Sequence, residues 1–152
     1  MYILKIFAQQ VAGFGERSLN AEDFWRIAER ERIEVIEKPL MVNSFYFVCK
    51  MGDVEVRRIY INSNLSRAEW LESALHELAH HFLHPQESFT PLFCKASHDF
   101  SSRIEREAEI CALVALIPLS TLLKLEAEPE ILESEFWVLI PRRLRVYLAY
   151  GV

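Results

Sequence analysis

The chain has 152 residues, 51% of them hydrophobic, and a formal net charge of -5. That length favours a single domain over residues 1–152, and the acidic balance argues against non-specific nucleic-acid binding, which needs clustered cations. No stretch approaches the roughly twenty apolar residues of a membrane span.

The opening Met1-Tyr2-Ile3-Leu4-Lys5-Ile6-Phe7-Ala8 is apolar but too short for a signal peptide, lacks a basic start and runs into Gln9-Gln10. Asn20-Ala21-Glu22-Asp23 opens a helix to about Arg32, with Asn20 as cap, Asp23 three positions on, and Phe24, Trp25, Ile27 and Ala28 apolar. Residues 33–37 alternate as a short strand. Residues 45–49 and 54–62 form a hairpin turning at Gly52-Asp53. Arg57-Arg58 and, later, Arg142-Arg143 with Arg145 are too few to reverse the acidic balance and read as solvating a strand and a helix face.

Ser66-Arg67-Ala68-Glu69 is a capping box. Behind it Trp70, Leu71, Ala74, Leu75, Leu78 and Phe82 recur at helical spacing, and Pro85 closes the run. This helix carries His76-Glu77-Leu78-Ala79-His80. Residues four apart share a helix face about 6 Å apart along the axis, so both imidazoles can grip one ion. Glu77 points about 100° away from His76 and can take a proton from a metal-bound water without ligating the metal. That is the arrangement of a zinc peptidase. Ordinary surface histidines would give Glu77 no reason to sit between them. His81 and His84 continue the run and read as capping or lining the helix end; a rival His80–His84 pair leaves Glu77 without a role.

A catalytic zinc wants three protein ligands. The downstream donors are His84, Glu87, Cys94, His98, Asp99, Glu105, Glu107 and Glu109, and Glu105 is the choice. It lies in a second helical run over residues 102–117, sharing a face with Glu109, Ala108, Ala112 and Leu116, whose alanines permit close approach to the first helix. Spacing alone does not separate Glu105 from Glu109. Ser102 and Glu105 also fit a capping box, in which case Asp99 or Ser101 would have to be the true cap for Glu105 to be free. An irregular connection, residues 85–100, separates the two helices. A short helix follows Pro118, and a last pair lies near 130–138 and 142–150. A helix, then a small sheet, then helices reads as α+β. Cys49, Cys94 and Cys111 lack Cys-x-x-Cys spacing and read as reduced thiols of a cytoplasmic protein, Cys111 in the core.

At these residues the chain resembles the ImmA/IrrE metallopeptidases, a gluzincin-like His-Glu-x-x-His family. The likeness covers the strand ending Ile59-Tyr60-Ile61-Asn62, the helix through His76 and His80, and Glu105-Arg106-Glu107-Ala108-Glu109 continuing to Leu116-Ile117-Pro118. It implies that His76, His80 and Glu105 ligate zinc and that Glu77 is the general base. The chain departs from the family pattern at Glu109, where Asn is usual; a carboxylate there could bond a ligating imidazole or compete with Glu105. The resemblance further implies a protein substrate such as a helix-turn-helix DNA-binding repressor. Tyr46, Tyr60 and His98 are candidates to stabilise the oxyanion, and residues 59–62 to hold substrate by strand addition. A second class of function also fits: a zinc-containing module that binds a repressor without cutting it. Direct DNA binding through the last helices is a weaker third.

Overall fold

The structure is a computed structural model that describes residues 2–84 and 98–152. Its elements are helix α1 (Tyr2–Gln10), helix α2 (Ala21–Arg30), strands β1 (Ile33–Lys38), β2 (Ser44–Met51) and β3 (Val54–Asn62), helices α3 (Arg67–Leu83), α4 (His98–Leu116), α5 (Leu119–Leu122) and α6 (Ile140–Tyr150), with two 3-10 turns before α6. A small mixed sheet packs against a helical layer, the α+β arrangement that the element order predicts.

Local chemistry sets the element ends. Asn20 accepts from the Asp23 amide while Asp23 reaches back to the Asn20 amide, so the first capping box forms. Ser66 and Glu69 form the second. The hairpin joins Met51 to Val54 across Gly52-Asp53, with Gly52 at φ +62, a conformation that an L side chain rarely adopts.

The sheet order is β1-β3-β2, β1 parallel and β2 antiparallel to β3. Strand β3 is therefore bonded on both sides. This overturns residues 59–62 as the strand that adds a substrate peptide, since their backbone groups are already engaged. Among the described residues the outer side of β2 carries no strand. Ile59 and Ile61 are fully buried beneath the helices, as are Ala74, Leu75, Leu78 and Ala79 of α3 and Ala108, Cys111, Ala112 and Leu113 of α4.

The opening apolar stretch, to which the sequence pattern assigns no element, is helix α1, whose Phe7 packs edge-on against Phe14 and Phe82. Two sequence expectations change. Helix α4 starts at His98, so Ser102 and Glu105 lie inside it and form no capping box; Glu105 is free to face α3. The segment near 130–138 is 3-10 (Pro129–Ile131 and Ser134–Leu139), split where Leu132 is extended. Glu87, Cys94 and residues 85–97 lie outside the described residues. No helix among the described residues is long and apolar enough to cross a membrane.

The basic pair at 142–143 also departs from its solvating role. Arg143 is completely buried, donating from Nε to the Ile117 carbonyl and from Nη1 to the Val152 carbonyl, both at 2.6 Å. The first bond satisfies a carbonyl at the end of α4, and burial lowers the Arg143 pKa to about 10. It pins α6 to α4. Arg145 does stay exposed.

Asp23 generates a stability prediction. It is buried and takes a two-pronged bond from Arg17 at 2.6 and 2.7 Å, which holds its carboxyl below the usual range despite burial. Arg17 is half exposed, so solvent screens part of the pair. A depressed folded-state pKa contributes stability that is present above the unfolded value, about 3.9, and is lost as pH falls through the folded value. Asp23→Asn should lower the unfolding free energy by about 1–2 kcal/mol at pH 7, with the gap to wild type closing under strong acid. Urea titrations at pH 7 and pH 2 measure it; equal midpoints at pH 7 would discard the assignment.

Candidate metal centre

Helix α3 runs through the middle of the fold, and its sides face different elements. His76 and His80, one turn apart, face α4. His80 is buried and His76 half-buried. Across from them Glu105 projects from α4. Its Oε2 lies 3.1 Å from His76 Nε2, its Oε1 lies 3.4 Å from His80 Nε2, and the two imidazole nitrogens are 3.0 Å apart. These donors all fall within 4.8 Å of one another, and they are the one such group of His, Cys, Asp and Glu among the described residues. The structure thus brings together the three residues that the sequence singles out. Glu105 keeps 59% of its side chain exposed, so the group opens to solvent on the α4 side.

The spacing suits a small cation. Ligands 2.0–2.2 Å from a tetrahedral zinc stand roughly 3.3–3.5 Å apart, close to the separations here. The donor chemistry agrees: two lone-pair nitrogens and a carboxylate facing one point need a proton or a cation between them. The residues present fit zinc.

Electrostatics are strongly coupled. Hydrogen bonds from His76 and His80 hold the Glu105 carboxyl far below its usual range, against burial. Burial pushes the His76 imidazolium down, but Glu105 and the charges of Glu77 and Glu72 outweigh it, and its pKa is raised.

Glu77 lies round the helix from His76, facing β2, only 4% exposed. Burial raises its pKa, while the histidines and a hydrogen bond from Ser44 pull the other way. Ser44 Oγ donates to Glu77 Oε1 at 2.6 Å. Ser44 is a site residue that sequence reasoning misses, because a lone serine at a strand start carries no pattern. One turn along α3, His81 shares this side: its Nδ1 is 2.9 Å from the Tyr46 hydroxyl and its Nε2 is 3.3 Å from Glu31. Burial raises the Tyr46 pKa to about 12.

Other expectations resolve. Tyr46 is committed to His81, so its hydroxyl does not point at the donor group. Tyr60 lies on the far face of the sheet, stacked on Phe45 at 4.6 Å. The side chain of His98 lies outside the described residues. His84 lies 3.5 Å from Glu107, with its ring centroid 5.9 Å from that of His80. Glu109 neither ligates with Glu105 nor reaches an imidazole: Arg142 of α6 holds its Oε1 at 2.7 and 2.9 Å, and the same guanidinium meets Glu72 at 2.6 Å. Glu72 was legible in principle, since it lies one turn before His76 on the same line as His80.

Residues 28–148 match the family described as the IrrE N-terminal-like domain, Peptidase M78. The match includes Ser44, His76, Glu77, His80, Glu105 and Arg142. No curated protein matches the chain.

Ser44→Ala removes the only protein donor seen on Glu77 among the described residues, and with it a bond to the charged form. The Glu77 pKa should rise further. Isotope-edited infrared titration of the glutamate carboxyl reads this directly, with Glu77→Gln identifying the band. An unchanged titration would dismiss the bond as incidental.

Proposed function

The chain belongs to the IrrE N-terminal-like peptidase family, and from that premise we propose that it is a zinc-dependent endopeptidase, with His76, His80 and Glu105 as ligands and Glu77 as general base. The observation that carries this reading is the convergence of three donor atoms, from two separate helices, at separations that suit a tetrahedral ion. Zinc, when bound, supplies a Lewis acid that polarises the scissile carbonyl and lowers the pKa of water from 15.7 toward roughly 7.

The chain's own groups supply the rest. Glu77 takes the proton of the attacking water on one carboxylate oxygen while Ser44 holds the other in place. Burial lifts its pKa toward the working range, where a base is most effective. The same carboxyl then delivers the proton to the leaving amine. The outer side of β2 begins at Ser44, beside Glu77, carries no strand among the described residues, and is the edge on which we place an extended substrate peptide.

The substrate we propose is a protein, a helix-turn-helix repressor in the first instance. That choice rests on the family resemblance and not on composition. The proposed setting is the cytoplasm, in keeping with Cys49 and Cys111 as free thiols.

Glu77→Gln should keep its zinc and lose cleavage by about 10²–10⁴-fold, the usual worth of a positioned base. His80→Ala should lose the zinc itself, read as metal per chain by elemental analysis. Cleavage is followed as fragments of a helix-turn-helix repressor, with casein as a second substrate. A Glu77→Gln protein that cuts at wild-type rate removes Glu77 as base. Repressor binding with no fragments from either protein supports the non-cutting module instead.

A further inference from the structure

Helices α3 and α4 run antiparallel through the metal centre: His76 meets Glu105, and one turn away Glu72 shares Arg142 with Glu109. Two further carboxylates therefore stand about one turn, roughly 6 Å, from the ligands. Glu72 precedes His76 by four residues on α3, and Glu109 follows Glu105 by four on α4. Both have the chemistry of Glu105, and zinc can expand to five ligands. A dication so close attracts any carboxylate that can swing toward it, and rotation about a glutamate's side-chain bonds moves its oxygens by several ångströms.

Arg142 stands against this. Its Nε and Nη2 both donate to Glu109 Oε1, at 2.9 and 2.7 Å, while Nη1 meets Glu72 Oε1 at 2.6 Å. One planar fork thus holds both acids, which a lysine could not reproduce. The fork comes from neither ligand helix. It comes from α6, which the buried bonds of Arg143 fasten to the end of α4 at Ile117 and to the Val152 carbonyl. Arg142 is itself only partly exposed, and Glu72 is mostly covered.

We propose that Arg142 is a positioning residue that keeps the metal centre three-liganded, by holding Glu109 and Glu72 one turn away from the open position that a reacting water must occupy. This rests on the metal reading above and extends it to a residue outside the His-Glu-x-x-His helix and its partner. It also gives Glu109 a role: its charge is matched by Arg142 and is not spent on the metal.

Cobalt(II) tests the proposal without reference to activity, because its visible absorption weakens as coordination rises from four to five. The full chain is titrated with cobalt(II) as wild type, Arg142→Met, Glu109→Gln and a triple variant that joins Arg142→Met to Glu109→Gln and Glu72→Gln, and zinc affinity is read by competition with a chromophoric chelator. Wild type and Glu109→Gln should show intense four-coordinate bands. Arg142→Met should lose intensity and hold zinc at least about tenfold more tightly, a change on the usual scale for groups flanking a metal site. The triple variant should regain the wild-type spectrum and affinity, since both freed carboxylates are gone. If Arg142→Met does not fold, Arg142→Lys gives the same comparison at smaller amplitude.

Identical spectra for wild type and Arg142→Met would overturn the proposal. So would a triple variant that keeps the change seen in Arg142→Met, which would make Arg142 a merely structural strut. A wild type that binds neither ion defeats the metal reading itself, an outcome distinct from both.

Discussion

Helix α3 must face two partners at once, and the rest of the site follows from that. Successive residues on a helix turn about 100°, so neighbours in sequence serve different neighbours in space. The line Glu72, His76, His80 faces α4 and α6, while Glu77 and His81 face β2. This is why one short motif can present two imidazoles to one neighbour and a carboxylate to another. It also explains the close approach of α4, whose Ala108 and Ala112 are fully buried and small. A bulkier residue there would push Glu105 beyond the reach of the imidazoles, because its carboxylate has no length to spare.

Crowded charge is the second constraint. Glu72, Glu77, Glu105 and Glu109 all lie along the α3 helix or its contact with α4, yet each is answered: Arg142 for the outer two, the histidines for Glu105, and Ser44 for Glu77. An unanswered buried carboxylate would neutralise or drag its helix toward solvent. Glu77 differs in its donor, a neutral hydroxyl and not a cation, and burial raises its pKa as it raises that of Glu72.

What was legible in the sequence is what is local. Both capping boxes, the Gly52 turn and the spacing of His76 and His80 depend on residues within four or five positions, and all appear as read. Glu105 was legible as a candidate because α4 carries its alanines on the same side. Residues whose partners come from distant chain were not. Ser44 acquires meaning only when β2 is laid under α3, and Arg142 only when α6 closes on both ligand helices. Arg143 misled for the same reason: basic residues usually face water, and only the pinning of α6 takes this one out of it. Strand 59–62 misled because its hydrophobic pattern is the same for an edge or a centre, and pairing order is set by the β1 crossover.

The contact between β2 and α3 is commensurate. Ser44 meets Glu77 and Tyr46 meets His81, so two residues along the strand match four along the helix. Two strand residues advance about 6.6 Å and four helical residues about 6 Å, which lets both rungs form without distorting either element. Glu31, at the end of α2, closes the second rung from behind. The buried Tyr46–His81 rung thus fixes how far β2 slides along α3, and that distance fixes whether Ser44 reaches Glu77. The orientation of the Glu77 carboxylate is therefore set by β2, the strand at the edge of the described sheet, so that one contact between sheet and helix governs the group on which the proposed chemistry turns.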